Sequence, residues 1–319
     1  MAIDTLLQSV DKLLLSVTDS SLPLLRETSR HILAAGGKRI RPRLVLLAHA
    51  ACAGQHEDDA VALAAAIEVI HTATLVHDDI NDDGTLRRGR ETVNSRWGGT
   101  YALLTGDFMF TKAYQIMAPF SAELNHILAQ AALDLVEGET LQIQASREGS
   151  FDRDTYMQII AKKTAALFVA AVELGAHAAH APQNWIEALH DYAFNLGLAF
   201  QIVDDVLDLV ADPQQIGKNA GIDLRQGRGV GAALTANNNT GLPPVPAQIA
   251  AVDLVGEEAA GLIKESLLQE DDLAEVVRKA REKANELASL AMSSLEVLPP
   301  SPARDELYAL AHLVVERNR

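Results

Sequence analysis

The sequence is poor in cysteine, in aromatic residues and in positive charge, and two of these shortages exclude classes of protein. Its 319 residues include one cysteine, Cys52, so an internal disulfide framework is impossible and a reducing, cytoplasmic location is expected. Cys52 follows an Ala-rich run, where a thiol acts as a small buried hydrophobe rather than as a nucleophile. Lysine and arginine number 27 against 43 aspartate and glutamate residues, a formal charge of −16. This balance argues against a nucleic-acid partner, because phosphate contacts need clustered basic residues.

The sequence also lacks a long uncharged apolar run. No stretch approaches the roughly 18 residues typical of a membrane span. The first fifteen residues carry Asp4 and Asp11 and lack the basic start of a signal peptide. With 48% hydrophobic residues, the chain is too apolar for intrinsic disorder. We therefore expect a folded cytoplasmic protein with no transmembrane segment and at most peripheral contact with a membrane.

Apolar residues recur at spacings of three and four along nearly the whole chain, and Ala and Leu dominate. This period is typical of helices, whereas the alternation expected of strands is nearly absent. The pattern predicts an all-α fold, with interior helices over 61–76 and 196–210 that are apolar on most sides. A polar, Pro-rich loop at 237–246 could join two domains. Helices of the same kind follow it, so we predict one domain over residues 1–319.

Two aspartate clusters carry the strongest chemical signal. HDDINDD (77–83) ends one apolar helix, and DDVLD (204–208) lies inside another. In each, the outer aspartates are four residues apart and share a helix face, where their charges repel and apolar neighbours raise the cost. A hard divalent cation removes this repulsion, and carboxylate ligands favour Mg²⁺ or Mn²⁺ over zinc. The alternative, a solvated acidic face, suits 57–59 and 270–272, whose neighbours are polar.

The basic residues are grouped near these clusters. GGKRIRP (36–42) opens a helix, where backbone N–H groups add affinity for anions, and RRGR (87–90) follows the first cluster. Lys162, Lys163 and Lys218 complete the set. Each alone is explained by solubility or by a helix end, but together they predict a metal-free anion site beside a metal-bound one. Neither a P-loop nor a dinucleotide-binding glycine motif follows a strand, so a nucleotide-binding fold is not expected.

These segments occur in an order that resembles the trans-type isoprenyl (polyprenyl) diphosphate synthases. The matching segments are GGKRIRP (36–42), IHTATLVHDDINDDGTLRRG (70–89), TGDFMF (105–110), EGETLQ (137–142), KTAALF (163–168), LGLAFQIVDDVLD (196–208) and GKNAGIDLRQG (217–227). The resemblance implies a homodimer whose subunit is a single large helical bundle around a central cavity, of the isoprenoid synthase type. It also implies elongation of an allylic diphosphate by 1′–4 head-to-tail condensation with isopentenyl diphosphate, through Mg²⁺-dependent ionisation.

The same resemblance assigns the site residues. Three Mg²⁺ ions, with Mn²⁺ as a possible substitute, are expected on Asp78, Asp82, Asp204, Asp205 and Asp208. The allylic diphosphate is expected on Arg87, Lys163 and Lys218, with Gln201 beside them, and isopentenyl diphosphate on Lys38, Arg41, His71 and Arg88. Thr164 and Arg228 are also expected to bind substrate. The residues expected to carry catalysis are Asp78, Asp79, Asp82, Arg87, Lys163, Gln201, Asp204 and Lys218.

Product length is expected to depend on how far the growing apolar tail can run beside the helix that leads to Asp78. Ala73 lies five residues earlier, about 7.5 Å along that helix at 1.5 Å per residue. Short-chain members of the family carry a bulky aromatic residue there, whereas Ala73 and Thr74 are small. We therefore predict a product longer than fifteen carbons, a long-chain polyprenyl diphosphate. Phe108, Met109, Phe110 and Tyr114, on a neighbouring helix, are alternative candidates for the floor of the tunnel that would hold the growing chain, and they fit an ordinary core at least as well.

Two departures from the family pattern leave other functions open. The segment 221–231 (GIDLRQGRGVG) lacks the usual Thr-Leu-Pro turn, and Arg228 stands where a second lysine is usual. One alternative is therefore a non-catalytic or regulatory subunit of a heteromeric synthase. A class I terpene cyclase is another, although it has no need of the GGKRIRP segment. A helical scaffold with acidic surfaces would leave the apolar-flanked aspartates unexplained.

Overall fold

The structure is a computed structural model that describes residues 2–148, 150, 152–210 and 270–317. The first part of the chain contains α1 (Ile3–Val17), α2 (Pro23–Leu33), α3 (Ile40–Ala51), α4 (Glu57–Asn81), α5 (Val93–Trp97) and α6 (Gly99–Met117). These are followed by α7 (Ala122–Glu148), α8 (Arg153–Ile160), a π-helical turn (Ala161–Ala165), α9 (Ala166–Ala178) and α10 (Gln183–Val210). After the undescribed residues come α11 (Glu270–Ser294), a 3₁₀ turn (Leu295–Val297) and α12 (Pro302–Glu316). The predicted all-α fold is confirmed.

In the described part of the chain, strands are limited to one short hairpin directly after α4. Its strands are β1 (Leu86–Arg87) and β2 (Arg90–Glu91), which pair antiparallel with Arg87 opposite Arg90. Gly89 has a φ of +73°, a left-handed conformation that a glycine adopts without steric cost. The hairpin therefore reverses the chain just beyond the first aspartate cluster.

Local sequence signals explain where several helices begin. Pro23 starts α2, where its missing N–H costs no helical hydrogen bond. Thr92 caps α5 by accepting a 3.0 Å hydrogen bond from the backbone N–H of Ser95, and Asp152 caps α8 through Thr155 at 2.8 Å. The acidic run 57–59 forms the first turn of α4, where negative charge is stabilised by the helix dipole.

Contacts between Cα atoms divide the chain into two compact units. The first comprises Met1–Ala132, Leu167–His190 and Leu295–Leu307, and the second comprises Leu133–Ala166, Asp191–Ser294 and Tyr308–Arg319. In the first unit, α4 packs most extensively against α6. The expectation of a single domain over 1–319 stays a prediction.

Helix α4 forms the centre of the first unit. Its buried side chains include Leu63, Ile67 and Ile70, each at most 1% exposed to solvent. The prediction of an interior helix over 61–76 is therefore confirmed. Among the described residues, α4 is also the helix that is long and apolar enough to cross a membrane, but 78% of that apolar window is buried inside the protein. Such burial is typical of a core helix.

Two further sequence expectations agree with the structure. In α10, Leu196, Ile202 and Val206 are buried, as predicted for an interior helix over 196–210. Cys52 is buried at the end of α3, and desolvation raises the pKa of its thiol to about 12. This thiol is therefore protonated at neutral pH and packs as a hydrophobe.

Candidate active site

The first aspartate cluster lies where α4 ends and the hairpin begins. Asp79 is buried, and its Oδ1 accepts a 2.8 Å hydrogen bond from Nε of Arg87 and forms an ion pair with Nη2 of the same residue, also at 2.8 Å. The backbone carbonyl of Asp79 also accepts from the N–H of Gly84 at 2.9 Å and from the amide of Asn94 at 3.3 Å. Asp79 therefore anchors the hairpin and holds the Arg87 guanidinium, while Asp78 precedes it in α4 and Asp82 is the C-cap residue just beyond that helix.

The second cluster lies on α10, in the other unit, and is held by a chain of hydrogen bonds. The hydroxyl of Thr164 donates to Oε1 of Gln201 at 2.7 Å, and Nε2 of Gln201 donates to Oδ1 of Asp205 at 2.7 Å. The phenol of Tyr156 donates to Oδ2 of Asp205 at 2.8 Å. The structure thus brings together three predicted site residues, Thr164, Gln201 and Asp205, and adds a fourth residue.

A second residue absent from the sequence prediction contacts Asp204. Nη2 of Arg317, just beyond α12, lies 2.9 Å from Oδ1 of Asp204, and its guanidinium stacks 4.9 Å from the ring centroid of Phe200. Neither Arg317 nor Tyr156 carried a local sequence signal, because each reaches its aspartate from a distant part of the chain, 49 residues away in the case of Tyr156.

The predicted ligand Lys163 lies in the π-helical turn between α8 and α9. Single π-helical turns of this kind are frequent at functional sites. In the turn, Lys163 pairs with Glu139 of α7, and Lys162 pairs with Asp134 at 3.0 Å and with Glu137 at 2.6 Å. The hydrogen bonds that Lys162 donates to Glu137 and then to Asp134 raise the pKa of its ammonium group.

Gly138 of α7 allows this turn to approach closely. A Cβ atom at position 138 would lie 2.7 Å from the backbone N of Lys163 and 2.9 Å from Cβ of Lys162. Both distances are shorter than side chains tolerate. The glycine in the EGETLQ segment therefore determines how close the turn carrying Lys163 can come to α7.

A cationic pocket in the first unit contains part of the predicted metal-free site. Its lining includes Gly36, Arg39, Glu68, His71, Arg87 and Arg88. His71 and Arg88 were predicted for isopentenyl diphosphate and Arg87 for the allylic diphosphate, whereas Arg39 and Glu68 were missed. Of the other predicted residues, Lys38 is exposed on the adjoining loop, and the guanidinium of Arg41 lies 5.1 Å from the Phe168 ring centroid.

His71 is electrically neutral in this setting. Desolvation lowers its pKa, and the positive charges of Arg41, Arg88, Arg87 and Arg39 lower it further, to well below the usual value. A neutral imidazole donates one hydrogen bond and adds no charge to a pocket already crowded with guanidinium groups.

The residues expected to set product length are buried. Ala73 has no exposed surface and Thr74 is 7% exposed, and the Thr74 hydroxyl donates to the carbonyl of His71 at 2.8 Å. Their role in product length stays a prediction. Lys218, expected at the allylic diphosphate, and Arg228, expected to bind substrate, lie outside the described residues.

The donor chemistry of the two clusters fits magnesium. Within residues 2–148, 150, 152–210 and 270–317, no three Asp, Glu, His or Cys side chains converge as a ready-made metal cage. The outer pairs instead supply two carboxylates, one helical turn apart, at Asp78 and Asp82 and at Asp204 and Asp208. Mg²⁺ suits this set because it binds one or two carboxylates and completes its shell with water and substrate phosphates.

Comparison with known proteins decides the family. The polyprenyl synthetase family model matches residues 22–240. The chain belongs to the polyprenyl synthetase family. Its predicted fold and its predicted enzyme class, a prenyltransferase that acts as a trans-isoprenyl diphosphate synthase, are thereby confirmed.

Relatives of this polyprenyl synthetase match along nearly the whole chain. Octaprenyl diphosphate synthase of Escherichia coli K12 is 36% identical over 312 residues, covering 97% of this chain and 95% of the relative. Heptaprenyl diphosphate synthase component 2 of Geobacillus stearothermophilus is 35% identical, with coverages of 98% and 96%. A polyprenyl synthase from Caulobacter crescentus CB15, crystallised with calcium and isoprenyl diphosphate, superposes with a TM-score of 0.83 at 33% identity and coverages of 100% and 98%.

Proposed function

We propose that this polyprenyl synthetase extends an allylic diphosphate by 1′–4 head-to-tail condensation with isopentenyl diphosphate. The observation that carries the proposal is the presence, on one chain, of two aspartate motifs together with a separate cationic pocket. The motifs suit a metal-bound diphosphate, whereas the pocket around His71 and Arg88 suits a diphosphate bound without metal. A condensing enzyme needs both kinds of site because it binds two diphosphates at once.

The aspartates have distinct roles in this proposal. Asp78, Asp82 and Asp204, with Asp205 and Asp208 in support, would hold Mg²⁺, three ions in all, or Mn²⁺ in its place. Bound Mg²⁺ would neutralise the charge that develops on the diphosphate as its C–O bond breaks. Asp79 would hold Arg87 for contact with the same leaving group through a hydrogen bond to Nε and an ion pair with Nη2, both at 2.8 Å.

The remaining polar residues bind and orient the two substrates. The ligands proposed for the allylic diphosphate, besides Arg87, are Lys163, Thr164, Gln201, Lys218 and Arg228. The ligands proposed for isopentenyl diphosphate are Lys38, Arg41, His71 and Arg88. As the allylic C–O bond breaks, its electron pair leaves with the diphosphate, and the isopentenyl double bond forms the new C–C bond. The departing diphosphate then accepts the proton lost from the isopentenyl unit.

The proposed product is longer than fifteen carbons. Support comes from the small side chains of Ala73 and Thr74 and from relatives named octaprenyl and heptaprenyl diphosphate synthase. A tail that grows past Ala73 would run along α4, whose apolar side chains are Ala, Val, Leu and Ile, with no Phe, Tyr or Trp.

We also propose that the enzyme is a cytoplasmic homodimer, with residues 1–319 of each subunit forming one domain. Helix α6 presents large apolar side chains to solvent, of which Tyr101, Leu104 and Tyr114 are 45%, 48% and 61% exposed. A second copy of the chain would cover this surface, since exposed apolar patches mark interaction sites. In sedimentation experiments, Leu104→Glu should shift the protein toward monomer, whereas Leu22→Glu, at an exposed position before α2, should not.

The decisive experiment supplies purified protein with Mg²⁺, isopentenyl diphosphate and allylic primers of increasing length. Elongation of a primer is expected. Asp78→Asn and Asp204→Asn should each lower the rate by about a hundredfold or more, because each weakens the stabilisation of the leaving group. Asp83→Asn, an exposed neighbour in the first cluster, serves as the matched control and should retain activity. A product formed from one diphosphate without elongation would favour a terpene cyclase.

A second candidate is a subunit of a heteromeric synthase. The 35% identity to a protein named heptaprenyl diphosphate synthase component 2 favours it. Failure of the purified chain to condense any primer, followed by activity once a second polypeptide is added, would establish this candidate over the homodimer.

A further inference from the structure

Arg39 has an unusual backbone conformation at the start of α3. Its φ and ψ of 50° and 37° lie in the left-handed region, which is sparsely populated by side-chain-bearing residues. Such a conformation persists only where the surroundings hold it. Arg39 follows Lys38 directly and precedes Arg41 by two residues, so its backbone sets the direction in which both neighbouring cations emerge.

Two carboxylates hold the side chain of Arg39. Its Nη1 lies 2.7 Å from Oε1 of Glu68, and its Nε lies 3.0 Å from Oδ1 of Asp11. The Glu68 side chain is 5% exposed and that of Asp11 is 53% exposed, so the pair with Glu68 is screened far less by solvent. Glu68 is therefore the stronger anchor of the two.

Glu68 also acts on the charges around it. Among the described residues that line the pocket, Glu68 is the one with an acidic side chain. Arg39, Arg87 and Arg88 line the same pocket. Burial is the largest influence on the Arg39 guanidinium and lowers its pKa, yet Glu68 and Asp11 together raise that pKa above its usual value. Desolvation leaves the pKa of Arg88 below its usual value, a shift that Glu68 opposes and that Arg39 and Arg87 increase.

The turn before Arg39 is also in contact with Arg88. A Cβ atom at Gly37 would lie 2.5 Å from Nη1 of Arg88, so the guanidinium rests directly against this glycine. Movement of the turn would therefore displace Arg88 as well as Lys38. Through its ion pair with Arg39, the buried Glu68 holds this turn in place.

We infer that Glu68 is a positioning residue for the metal-free diphosphate site. Through Arg39 it fixes the turn that carries Lys38 and supports Arg88, and its charge offsets the repulsion among the guanidinium groups before substrate binds. This inference rests on the proposed function, because it takes isopentenyl diphosphate as the ligand of that site. It predicts that replacing Glu68 weakens the binding of isopentenyl diphosphate and leaves the binding of the allylic diphosphate nearly unchanged.

The test measures binding of isopentenyl diphosphate and of inorganic pyrophosphate by calorimetry in the absence of divalent metal. Glu68→Gln should weaken both by about tenfold or more, the loss expected when a charge-assisted contact is removed. In steady-state assays its KM for isopentenyl diphosphate should rise while its KM for the allylic diphosphate stays within twofold. Asp58→Asn, an exposed acid on the same helix, is the matched control and should bind like the wild type.

Arg39→Gln provides an independent variant if Glu68→Gln does not fold. It should produce the same selective loss, and the double variant should be no worse than the poorer single variant, because both act through one ion pair. Equal weakening of both substrates, or lower thermal stability with unchanged metal-free affinity, would overturn the inference alone. Wild-type protein that binds no isopentenyl diphosphate would overturn the proposed function along with it.

Discussion

The phenol of Tyr156 donates a 2.8 Å hydrogen bond to Oδ2 of Asp205, whose other oxygen accepts from Gln201. The two donors fix the orientation of a buried carboxylate next to Asp204. Tyr156→Phe should therefore cost about 1–2 kcal/mol in the free energy of unfolding, because a buried hydrogen bond is lost. The Mg²⁺ concentration needed for half-maximal activity should also rise several-fold, and titration of Mg²⁺ in the assay measures this.

Ser289→Ala is the control for this experiment, since it removes a hydroxyl that is exposed on α11 and donates to the carbonyl of Asn285 at 2.9 Å. It should change neither the unfolding free energy nor the Mg²⁺ dependence. Unaltered Mg²⁺ dependence in Tyr156→Phe would show that the phenol contributes to stability alone.

The close contact between Gly138 and the π-helical turn predicts that adding a single methyl group at this position lowers both stability and substrate affinity. A Cβ atom there would meet the backbone of Lys163 at 2.7 Å, so Gly138→Ala forces the π-helical turn away from α7. Overpacking of this kind costs about 1–3 kcal/mol, which urea denaturation would detect. The KM for the allylic diphosphate should also rise, because Lys163 moves with the turn.

Thr140→Ala, at an exposed position of the same helix, controls for helix propensity. Its hydroxyl bonds only to the carbonyl of Val136 among its described hydrogen bonds, at 2.8 Å. If Gly138→Ala proved as active and stable as Thr140→Ala, it would contradict the inference that the π-helical turn leaves no room for a side chain at position 138.

The neutrality of His71 predicts how stability changes with pH. Its pKa is depressed in the folded protein, so between that value and the unfolded pKa of about 6.5 the unfolded state binds more protons. Stability from this source is therefore complete above about pH 7 and is lost as the pH falls. Relative to His71→Gln, the wild type should lose about 1 kcal/mol of unfolding free energy between pH 7 and pH 5.5.

Paired urea denaturation of wild type and His71→Gln across this pH range provides the measurement. Subtracting the two curves removes the contribution of the other titrating groups that both proteins share. A difference that stays constant with pH would mean that His71 titrates normally in the folded state.

Position 73 predicts the length of the product. A series Ala73→Val, Ala73→Leu and Ala73→Phe should give progressively shorter chains when products from radiolabelled isopentenyl diphosphate are separated by length. Because Ala73 has no exposed surface, each variant also needs a thermal melt to exclude general loss of packing. A correctly folded Ala73→Phe variant with unchanged product length would contradict the prediction that the growing chain runs past position 73.

The residues proposed for the site could be picked out from the sequence because their signals are local. The i,i+4 aspartates in apolar surroundings identify Asp78, Asp82, Asp204 and Asp208 without knowledge of the fold, since charge repulsion on one helix face depends only on spacing. The GGKRIRP segment likewise indicates an anion site from its charges and from its place before α3. Helical periodicity predicted α4 and α10 as interior helices for the same reason.

The rest depended on contacts between distant parts of the chain. Arg39 and Glu68 are 29 residues apart, and Tyr156 and Asp205 are 49 residues apart. No periodicity connects such pairs, so the sequence could not show which acid anchors Arg39 or which donor orients Asp205. The π-helical turn was equally hidden, because its approach to α7 depends on Gly138.

The sequence by itself determined that this protein is helical, that it carries carboxylate pairs suited to magnesium, and that it belongs with diphosphate-binding enzymes. These properties follow from residue type and spacing within single helices. Only the tertiary structure decided that Asp79 holds Arg87, that Tyr156 and Gln201 share Asp205, and that Glu68 anchors the cationic turn. Such pairings are chosen by packing, since a buried charge or hydrogen-bonding group must find its partner in whichever segment the fold places beside it.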